Sequence, residues 1–285
     1  MAGVSGGLSF SERFLERAIT HSPLCVGVDP SQHSLRQWGL SDDIHGLREF
    51  SERIVSIAAP RVAVIKPQSA FFERHGLPGL RQLKRVVKLA KKLGALVIID
   101  CKRGDIGSSA AAYGEAFLGV DSPFDGDAIT ITPYCGFGAL LPICDRAKLH
   151  SNGVFVLLRS SNPEGSQLQL AKMDDGRSVV EGLADDLTSY NRVSTANKIG
   201  VVGAVLGATQ GPELIRLASR MPHSLFLVPG IGAQGAQLHD VQQDFGVHYK
   251  RVIPSISRAI ASAGPTTQEL VARIEEFAKL ARAAW

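Results

Sequence analysis

The chain has 285 residues and a formal net charge of +4, with 45% hydrophobic and 20% charged residues. This length and composition suit a single α/β barrel with a large core, and nearly balanced charges without a basic tail do not indicate nucleic-acid binding. The N-terminus lacks the basic and apolar segments of a signal peptide, and no apolar run reaches transmembrane length, so we expect no membrane association.

Eight short apolar runs predict β-strands. They are continuous rather than alternating in hydrophobicity, as expected for parallel strands that are covered on both faces. The predicted strands lie at 24–29, 62–67, 95–100, 127–132, 153–158, 201–206, 225–229 and 251–257.

Helical patterns fill the intervals between these strands. They lie at 11–21, 47–59, 77–94, 108–118, 137–150, 176–193, 211–222 and 267–285. Ser11 is the predicted N-cap of the first helix, and Gly94 is the predicted end of the third. The basic segment 84–92 has helical spacing and is interpreted as a solvated helix face. Eight alternations of strand and helix predict a (β/α)8 TIM barrel, with one domain over 1–285, and an open doubly wound sheet is the alternative.

The interval between the fifth and sixth predicted strands, 159–200, is unusually long, and its first part is polar. Long loops in compact domains usually serve as lids or binding loops. In a barrel, this loop would lie at the C-terminal face, where active sites are built.

Polar and charged residues gather where the predicted strands end. They are Asp29, Lys66, Asp100, Lys102, Asp105, Arg159, Ser160 and Arg258. One such residue alone would be interpreted as part of a surface ion pair. A whole set on one rim of a barrel predicts an active site.

The segment VIIDCKRGDIGSS, 97–109, concentrates this charge. If extended geometry continues past the strand end, Asp100 and Lys102 point to the same side. The ammonium of Lys102 would then lie between the carboxylates of Asp100 and Asp105, with Lys66 extending the row. A lysine kept charged in this way can stabilise a carbanion and then protonate it, whereas a Schiff-base lysine needs a lowered pKa. The spacing does not decide the role of Lys66.

A glycine-rich segment, VPGIGAQG, follows the seventh predicted strand at 228–235. It matches G-x-G-x-x-G, but no acidic residue ends the next strand, so it is weak support for a dinucleotide site. In a barrel, the loops after strands seven and eight commonly bind phosphate, and Arg258 adds a guanidinium there. We therefore predict a ligand with a phosphate monoester.

Metal-binding and disulfide patterns are missing from the sequence. The eight histidines do not pair at ligand spacing, so no metal site is predicted. Asp100 and Asp105 could hold Mg²⁺, but the lysine between them competes for the same carboxylates. The four cysteines contain no CxxC pair and are interpreted as reduced core residues of a cytoplasmic protein.

The motif D-x-K-x-x-D-I-G, from Asp100 to Gly107, resembles the signature of orotidine 5′-phosphate decarboxylases, and the chain length is similar to that of their longer bacterial subgroup. The other segments that agree are VGVDPS (26–31), VIKPQSAFFE (64–73), RSSNPEG (159–165), VPGIGAQG (228–235) and PSISRAI (254–260). The resemblance implies a TIM barrel that converts orotidine 5′-monophosphate to UMP and CO2 in de novo pyrimidine biosynthesis. It also implies no cofactor, no metal and a homodimer with shared active sites.

The resemblance implies a catalytic array of Lys66, Asp100, Lys102 and Asp105. Lys102 would protonate C6 of the pyrimidine, and Asp100 would lie against the substrate carboxylate. Asp105 would reach into the partner's site.

The resemblance also implies residues that bind the ribose and the base. Asp29 and Lys66 would hold ribose hydroxyls, and either Ser160 or Ser161 would contact the pyrimidine edge. Ser109 keeps a hydroxyl where relatives often have Thr.

Gln234 and Arg258 would hold the phosphate together with backbone N–H groups of the loop that contains Gly230 and Gly232. Ser257, before Arg258, departs from the glycine that many relatives have there. This departure bears on binding details rather than on the reaction.

Two other functions remain open at this point. One is a Mg²⁺-dependent sugar-phosphate lyase or epimerase on a related barrel, which metal dependence would distinguish. The other is an inactive phosphate-binding scaffold. The intact row of charges argues against the scaffold, because buried charges are costly.

Overall fold

The computed structural model describes residues 7–195, 198–283 and 285. Eight parallel strands form a closed barrel in sequential order, and β8 pairs with β1. The strands are β1 (Cys25–Val28), β2 (Val64–Pro67), β3 (Leu96–Arg103), β4 (Ala128–Ile131), β5 (Gly153–Arg159), β6 (Val202–Leu206), β7 (Phe226–Pro229) and β8 (Val252–Ile256). The predicted TIM barrel is confirmed, and the closing pair excludes an open sheet.

The helices pack around the barrel and fill the predicted intervals. They are α1 (Phe10–Thr20), α2 (Gln32–Gln37), α3 (Ile44–Ala58), α4 (Ser69–Glu73), α5 (Gly76–Lys92), α6 (Gly107–Phe117), α7 (Leu141–Leu149), α8 (Ser166–Gln169), α9 (Val179–Thr195), α10 (Glu213–Arg220), α11 (Leu238–Phe245), α12 (Arg258–Ala261) and α13 (Thr267–Arg282). Five of them (α2, α4, α8, α11 and α12) were not predicted. Four of these have only four to six residues, too few to show a clear helical period, whereas α11, with eight residues, is as long as the predicted α10. None of the described helices is long and apolar enough to cross a membrane.

The two predicted helix boundaries have different outcomes. Ser11 is not the N-cap of α1: it lies inside the helix and donates to the carbonyl of Ile199 at 3.1 Å. Ser9 is the cap, because its hydroxyl accepts the N–H of Glu12 while the Glu12 carboxylate accepts the N–H of Ser9. Gly94 does end α5, with φ at +90° beyond its last turn.

Helix α1 closes the N-terminal mouth of the barrel. Phe10 packs edge-to-face on Phe155 of β5, and Phe14 packs edge-to-face on Trp285. Phe10 and Phe14 join one buried cluster with inward-facing strand residues such as Ile253. The C-terminal mouth is left as the open end.

Three of the four cysteines are buried thiols, as predicted. Burial raises the pKa of Cys25, Cys101 and Cys144 to about 12, which makes them unreactive at neutral pH. Cys135 is exposed in the turn after β4, so the prediction that all four are core residues is wrong for this one. The turn carries it away from the sheet.

Candidate active site

Two adjoining cavities lie at the C-terminal ends of the strands, with volumes of about 380 and 170 Å³. They share the side chains of Lys66, Asp100, Pro229 and Gln234. The larger is also lined by Lys102, Thr130, Leu157, Ser160, Ser161, Asn162, Val205 and Leu227. The smaller is also lined by Asp29, Gln68, Gly230, Ile231, Ala233, Ser255, Ser257 and Arg258. Most of the predicted site residues are therefore gathered in one place.

An open groove at the other end of the barrel offers a weaker site. It is lined by α1 and by the start of β3, with a volume of about 460 Å³. Its two arginines are already engaged: Arg13 pairs with Asp127 at 2.6 Å, and Arg17 donates to the carbonyls of Ala59 and Val62. These contacts brace α1 against the barrel.

Three charges form a continuous row beside the larger cavity. Lys66 Nζ lies 2.8 Å from Asp100 Oδ2, and Lys102 Nζ lies 2.6 Å from Asp100 Oδ1. The side chains of Lys66 and Asp100 are 6% and 9% exposed, whereas that of Lys102 is 41% exposed. Lys66 and Asp100 are therefore fixed in the wall, and the Lys102 ammonium is accessible to a ligand.

The row keeps its buried members ionised. Burial alone raises the pKa of Asp100, but the charges of Lys66 and Lys102 outweigh it and hold that pKa well below the usual range. Burial lowers the pKa of Lys66, but the charges of Asp100 and Asp29 outweigh it and hold the pKa above its usual value. Lys66 is therefore unsuited to a Schiff-base role, which the spacing had left undecided.

The expected position of Asp105 beside Lys102 is wrong for this chain. Lys102 has φ at +45°, so the chain leaves extended geometry there, and the pairing of β3 with β4 shifts register between Ile99 and Arg103. Asp105 lies past this irregularity and accepts the N–H of Ile106 at 2.8 Å. Among the described residues it makes no ion pair with Lys102. Ser109 is exposed on α6 and lines neither cavity.

Asp29 is placed to receive a donor from a ligand. It follows β1 and lines the smaller cavity near Lys66 and Gln68. Within the described part of the chain, its Oδ1 is buried without a hydrogen-bond partner. Since a buried carboxylate oxygen without a donor is costly, a ligand hydroxyl there would be stabilising.

The glycine-rich loop after β7 is compact. Gly230 has φ at +106°, and a Cβ at this position would lie 2.6 Å from Oε1 of Gln234. The N–H groups of Gly232, Ala233 and Gly235 donate within the loop at 2.8–3.1 Å. The loop therefore presents the Gln234 side chain to both cavities rather than offering these N–H groups to a ligand.

Arg258 supplies a cation to the smaller cavity. It begins α12, with Ser257 between it and the end of β8, and its side chain is exposed. Among the described residues it has no carboxylate partner within ion-pair distance, in contrast to the paired Lys66 and Lys102. It is therefore available to an anionic ligand group.

The loop after β5 is braced by a residue that the sequence did not reveal. Gln169, on α8, accepts from Nη1 of Arg159 at 3.1 Å and from the N–H of Ser160 at 3.2 Å, and donates to the Ser160 hydroxyl at 2.9 Å. Arg159 is buried and also pairs with Glu213 at 3.2 Å. For Ser161 no hydrogen bond to its hydroxyl is found within the described ranges, and this residue lines the larger cavity. The long interval after β5 was the only sequence signal for Gln169.

The site has no side-chain cluster of the kind that binds a metal ion among the residues that the structure describes, where no group of three or more His, Cys, Asp or Glu side chains is suited to such an ion. Asp100 is the buried carboxylate of the larger cavity, and both of its oxygens already accept from lysines. A row of alternating charges lies at the open end of a parallel barrel, next to an arginine without an ion-pair partner among the described residues. This arrangement defines an enzyme-like site for a small anionic molecule.

The family model described as "Orotidine 5'-phosphate decarboxylase / HUMPS family" matches residues 22–272. The chain belongs to this family. It is 44% identical over 274 residues to a protein from Myxococcus xanthus named orotidine 5′-phosphate decarboxylase, with 96% of this chain and 95% of the relative covered. A relative of the same name from Streptomyces coelicolor is 44% identical over 270 residues, with 94% and 95% covered.

Solved structures agree with the family assignment. A crystal structure from Streptomyces avermitilis, assigned to orotidine 5′-phosphate decarboxylase, has a TM-score of 0.92 and 42% identity, covering 100% of this chain and 98% of its own. The structure of Leishmania donovani OMP decarboxylase has a TM-score of 0.79 and 29% identity, covering 97% and 98%. The likeness therefore extends over the whole barrel.

Proposed function

We propose that this chain removes CO2 from orotidine 5′-monophosphate to give UMP, the last step of de novo pyrimidine biosynthesis. The observation that carries this proposal is the row Lys66–Asp100–Lys102 at the open end of the barrel, in which the Lys102 side chain is the most exposed member. The name and the near full-length coverage of the relatives at 40–44% identity support the same activity.

The charged row suits the chemistry of this reaction. Loss of CO2 from C6 leaves an anion in the ring plane with little delocalisation, so stabilisation must come from a nearby cation. Lys102 supplies that cation, and its proton then goes to C6. Asp100 orients Lys102 and lies next to the substrate carboxylate, and Lys66 completes the row.

The binding residues divide among the parts of the substrate. Asp29 and Lys66 hold ribose hydroxyls, which would satisfy the unpartnered Asp29 oxygen. Gln234 and Arg258 hold the phosphate, with Gly230 allowing the loop to approach it closely. These contacts are remote from C6, but they lower the barrier if their binding energy is used to orient the base.

Ser161 contacts the pyrimidine edge in this proposal, and Ser160 supports it. The support is the engagement of the Ser160 hydroxyl and N–H with Gln169, whereas the Ser161 hydroxyl, at the larger cavity, has no hydrogen-bond partner among the described residues.

The active form is a homodimer with shared sites. Asp105 and Ser109 lie outside both cavities of their own chain, next to Ile106, which is 62% exposed, and Tyr134 is 80% exposed on the following strand-end loop. A partner subunit would cover these apolar side chains and receive Asp105 and Ser109 at its own site. We further propose that 1–285 act as one decarboxylase domain, in the cytoplasm, where the buried thiols stay reduced.

Two alternatives are less well supported. The family description carries two names, but the relatives at 40–44% identity bear the decarboxylase name, which does not favour a Mg²⁺-dependent lyase. The lysines that occupy Asp100 would also compete with a cation there. An inactive scaffold would have no use for an accessible, charge-paired Lys102.

The first test is turnover of orotidine 5′-monophosphate by EDTA-treated protein, followed by the pyrimidine absorbance. We expect metal- and cofactor-independent loss of the orotate chromophore, and a kcat for Lys102→Ala about 10²–10⁴-fold lower. Lys84→Ala, on the solvated face of α5, is the matched control and should keep full activity. Absence of turnover in the wild-type protein would overturn the proposal, and sugar phosphates with Mg²⁺ would then be tested.

A further inference from the structure

One buried hydroxyl contacts both the backbone and the carboxylate partner of Lys102. Thr130 lies on β4, opposite the irregular part of β3, and is 1% exposed. Its Oγ1 is 2.8 Å from Asp100 Oδ1 and 3.0 Å from the backbone nitrogen of Lys102. The same carboxylate oxygen receives the Lys102 ammonium at 2.6 Å.

The direction of these hydrogen bonds follows from the charges. Asp100 is ionised and can only accept, so the Thr130 hydroxyl donates its single proton to Asp100. Its lone pair is then left to accept the N–H of Lys102. One hydroxyl therefore satisfies both contacts, and its orientation is determined.

Lys102 needs such support because its backbone is in an unfavourable conformation. With φ at +45°, it lies in the left-handed region that residues with a Cβ rarely adopt. Residues held in this way persist where the surrounding structure fixes them, often at functional sites. The Thr130 hydroxyl holds the N–H of this residue, and it also holds the acid that receives the side chain.

We propose that Thr130 is a positioning residue, which holds the Lys102 ammonium at the mouth of the larger cavity by fixing its backbone and its carboxylate partner together. This inference rests on the proposed decarboxylase function for its kinetic consequence. Thr130 acts through Lys102 and Asp100 rather than on the substrate.

Two substitutions separate the hydroxyl of Thr130 from its volume. Thr130→Val keeps the shape and removes the hydroxyl, and Thr130→Ser keeps the hydroxyl and removes the methyl group. We expect kcat to fall roughly 10- to 100-fold in Thr130→Val, as for a lost hydrogen bond to a charged group, and to stay within about threefold in Thr130→Ser. The dissociation constants of UMP and ribose 5-phosphate should stay within about twofold in both variants, since neither phosphate nor ribose contacts change.

Thr188→Val is the matched control, because the Thr188 hydroxyl donates to the carbonyl of Arg220 at 2.9 Å, away from the cavities. Its kcat should be unchanged. A purely structural role for Thr130 predicts the opposite order, with the valine variant active and the serine variant impaired. That order, or a Thr130→Val enzyme within twofold of the wild-type kcat, would overturn the inference. A weakened UMP affinity in Thr130→Val would overturn it too, by showing a direct ligand contact.

A second measurement does not depend on catalysis or on a folded variant. In the ligand-free wild-type protein, the amide of Lys102 should be protected from hydrogen exchange to the same degree as neighbouring amides of β3, although it lies at a register shift. Rapid exchange would overturn the inference. If the wild-type protein showed protection but no decarboxylation, the proposed function would fail and the Thr130 contact would stand.

Discussion

The ammonium group of Lys102 is held in place by the carboxylate that balances its charge. Lys66 and Lys102 share the carboxylate of Asp100, and the backbone of Lys102 is bent so that its ammonium returns to that acid. A lysine side chain that pointed into solvent from a regular strand could adopt several rotamers, so its ammonium would not be held in one position. The irregularity in β3 therefore strains the backbone locally, and in doing so it holds the cation in a fixed position.

Asp100 should make the stability of the protein depend on pH at the acid end. Its pKa is below the usual value of 3.8, so its stabilising contribution is complete above 3.8 and is lost as the pH falls toward the lower pKa of the folded state. Asp100→Asn resembles the protonated acid, and it removes the counter-charge from the buried Lys66 and from the partly exposed Lys102. We expect the variant to be clearly less stable than the wild-type protein at pH 7, with a smaller difference at pH 3.

The measurement is the free energy of unfolding by urea for both proteins at the two pH values. Asp174→Asn, in the polar segment before α9, is a control that should track the wild-type protein throughout. If the stability difference for Asp100→Asn were the same at pH 7 and pH 3, the two lysines would not be lowering the pKa of Asp100, and the prediction would be wrong.

The sequence predicted the positions of charged residues correctly where these residues lie at the C-terminal end of a strand. Asp100, Lys102 and Lys66 were placed correctly because the ends of parallel strands meet on one rim, whichever loops follow them. Asp105 was misplaced because the positive φ of Lys102 cannot be inferred from a lysine in the sequence. Thr130 was overlooked because a threonine in a buried strand is typical of β-structure.

At the scale of elements, α8 supports the site from outside the barrel. Gln169 holds the loop after β5 through Arg159 and Ser160, and Arg159 in turn pairs with Glu213 of α10. Part of the long polar interval after β5 is therefore structured, and it supports the loop that lines the larger cavity. The sequence predicted its location at the active-site face but not this role, because four helical residues show no periodicity.

Removing this brace should weaken recognition of the base. In Gln169→Ala, the Ser160 hydroxyl and N–H lose their partner, so we expect the KM for orotidine 5′-monophosphate to rise about tenfold, the worth of about one net hydrogen bond. The kcat should change little, and the affinity for ribose 5-phosphate, which lacks the base, should not change.

Gln167→Ala is the matched control, because Gln167 is an exposed residue of the same short helix. A tenfold KM effect in this control, or a parallel loss of ribose 5-phosphate affinity in Gln169→Ala, would indicate general loosening of α8 rather than loss of the brace.

Helix α1 gives a second prediction at this scale. Ser9, rather than Ser11, forms the capping box with Glu12, as the S-x-x-E spacing allows. Ser9→Ala should lower the free energy of unfolding by about 1 kcal/mol with no change in kcat, because α1 closes the end of the barrel opposite the site. Thermal unfolding and turnover of the same sample would check this, and a fall in kcat would show that α1 is coupled to the active site.

For the whole molecule, barrel topology was the most predictable feature. Eight continuous apolar runs separated by helices leave few arrangements that bury every strand on both faces, and closure follows from pairing β8 with β1. The oligomeric state is harder to predict in this way. An exposed apolar residue in one chain, such as Ile106 or Tyr134, does not by itself indicate which surface would cover it.

The proposed exchange of Asp105 between subunits can be tested by mixing inactive variants. Lys102→Ala removes the proton donor from its own site, and Asp105→Ala removes the acid from the partner's site. In a mixed dimer, one site then carries both substitutions and the other carries neither. Each variant alone should be nearly inactive, and an equal mixture, refolded together, should regain about a quarter of the wild-type activity, since about half of the dimers are mixed and each has one intact site.

The same mixture has a different outcome if Asp105 acts within its own chain. Every site in a mixed dimer would then lack either Lys102 or Asp105, and no activity would return. A mixture that was never refolded, at concentrations where subunits do not exchange, provides the baseline. Recovery that depends on subunit exchange would therefore establish at once that the protein is a dimer and that each site is built from two chains.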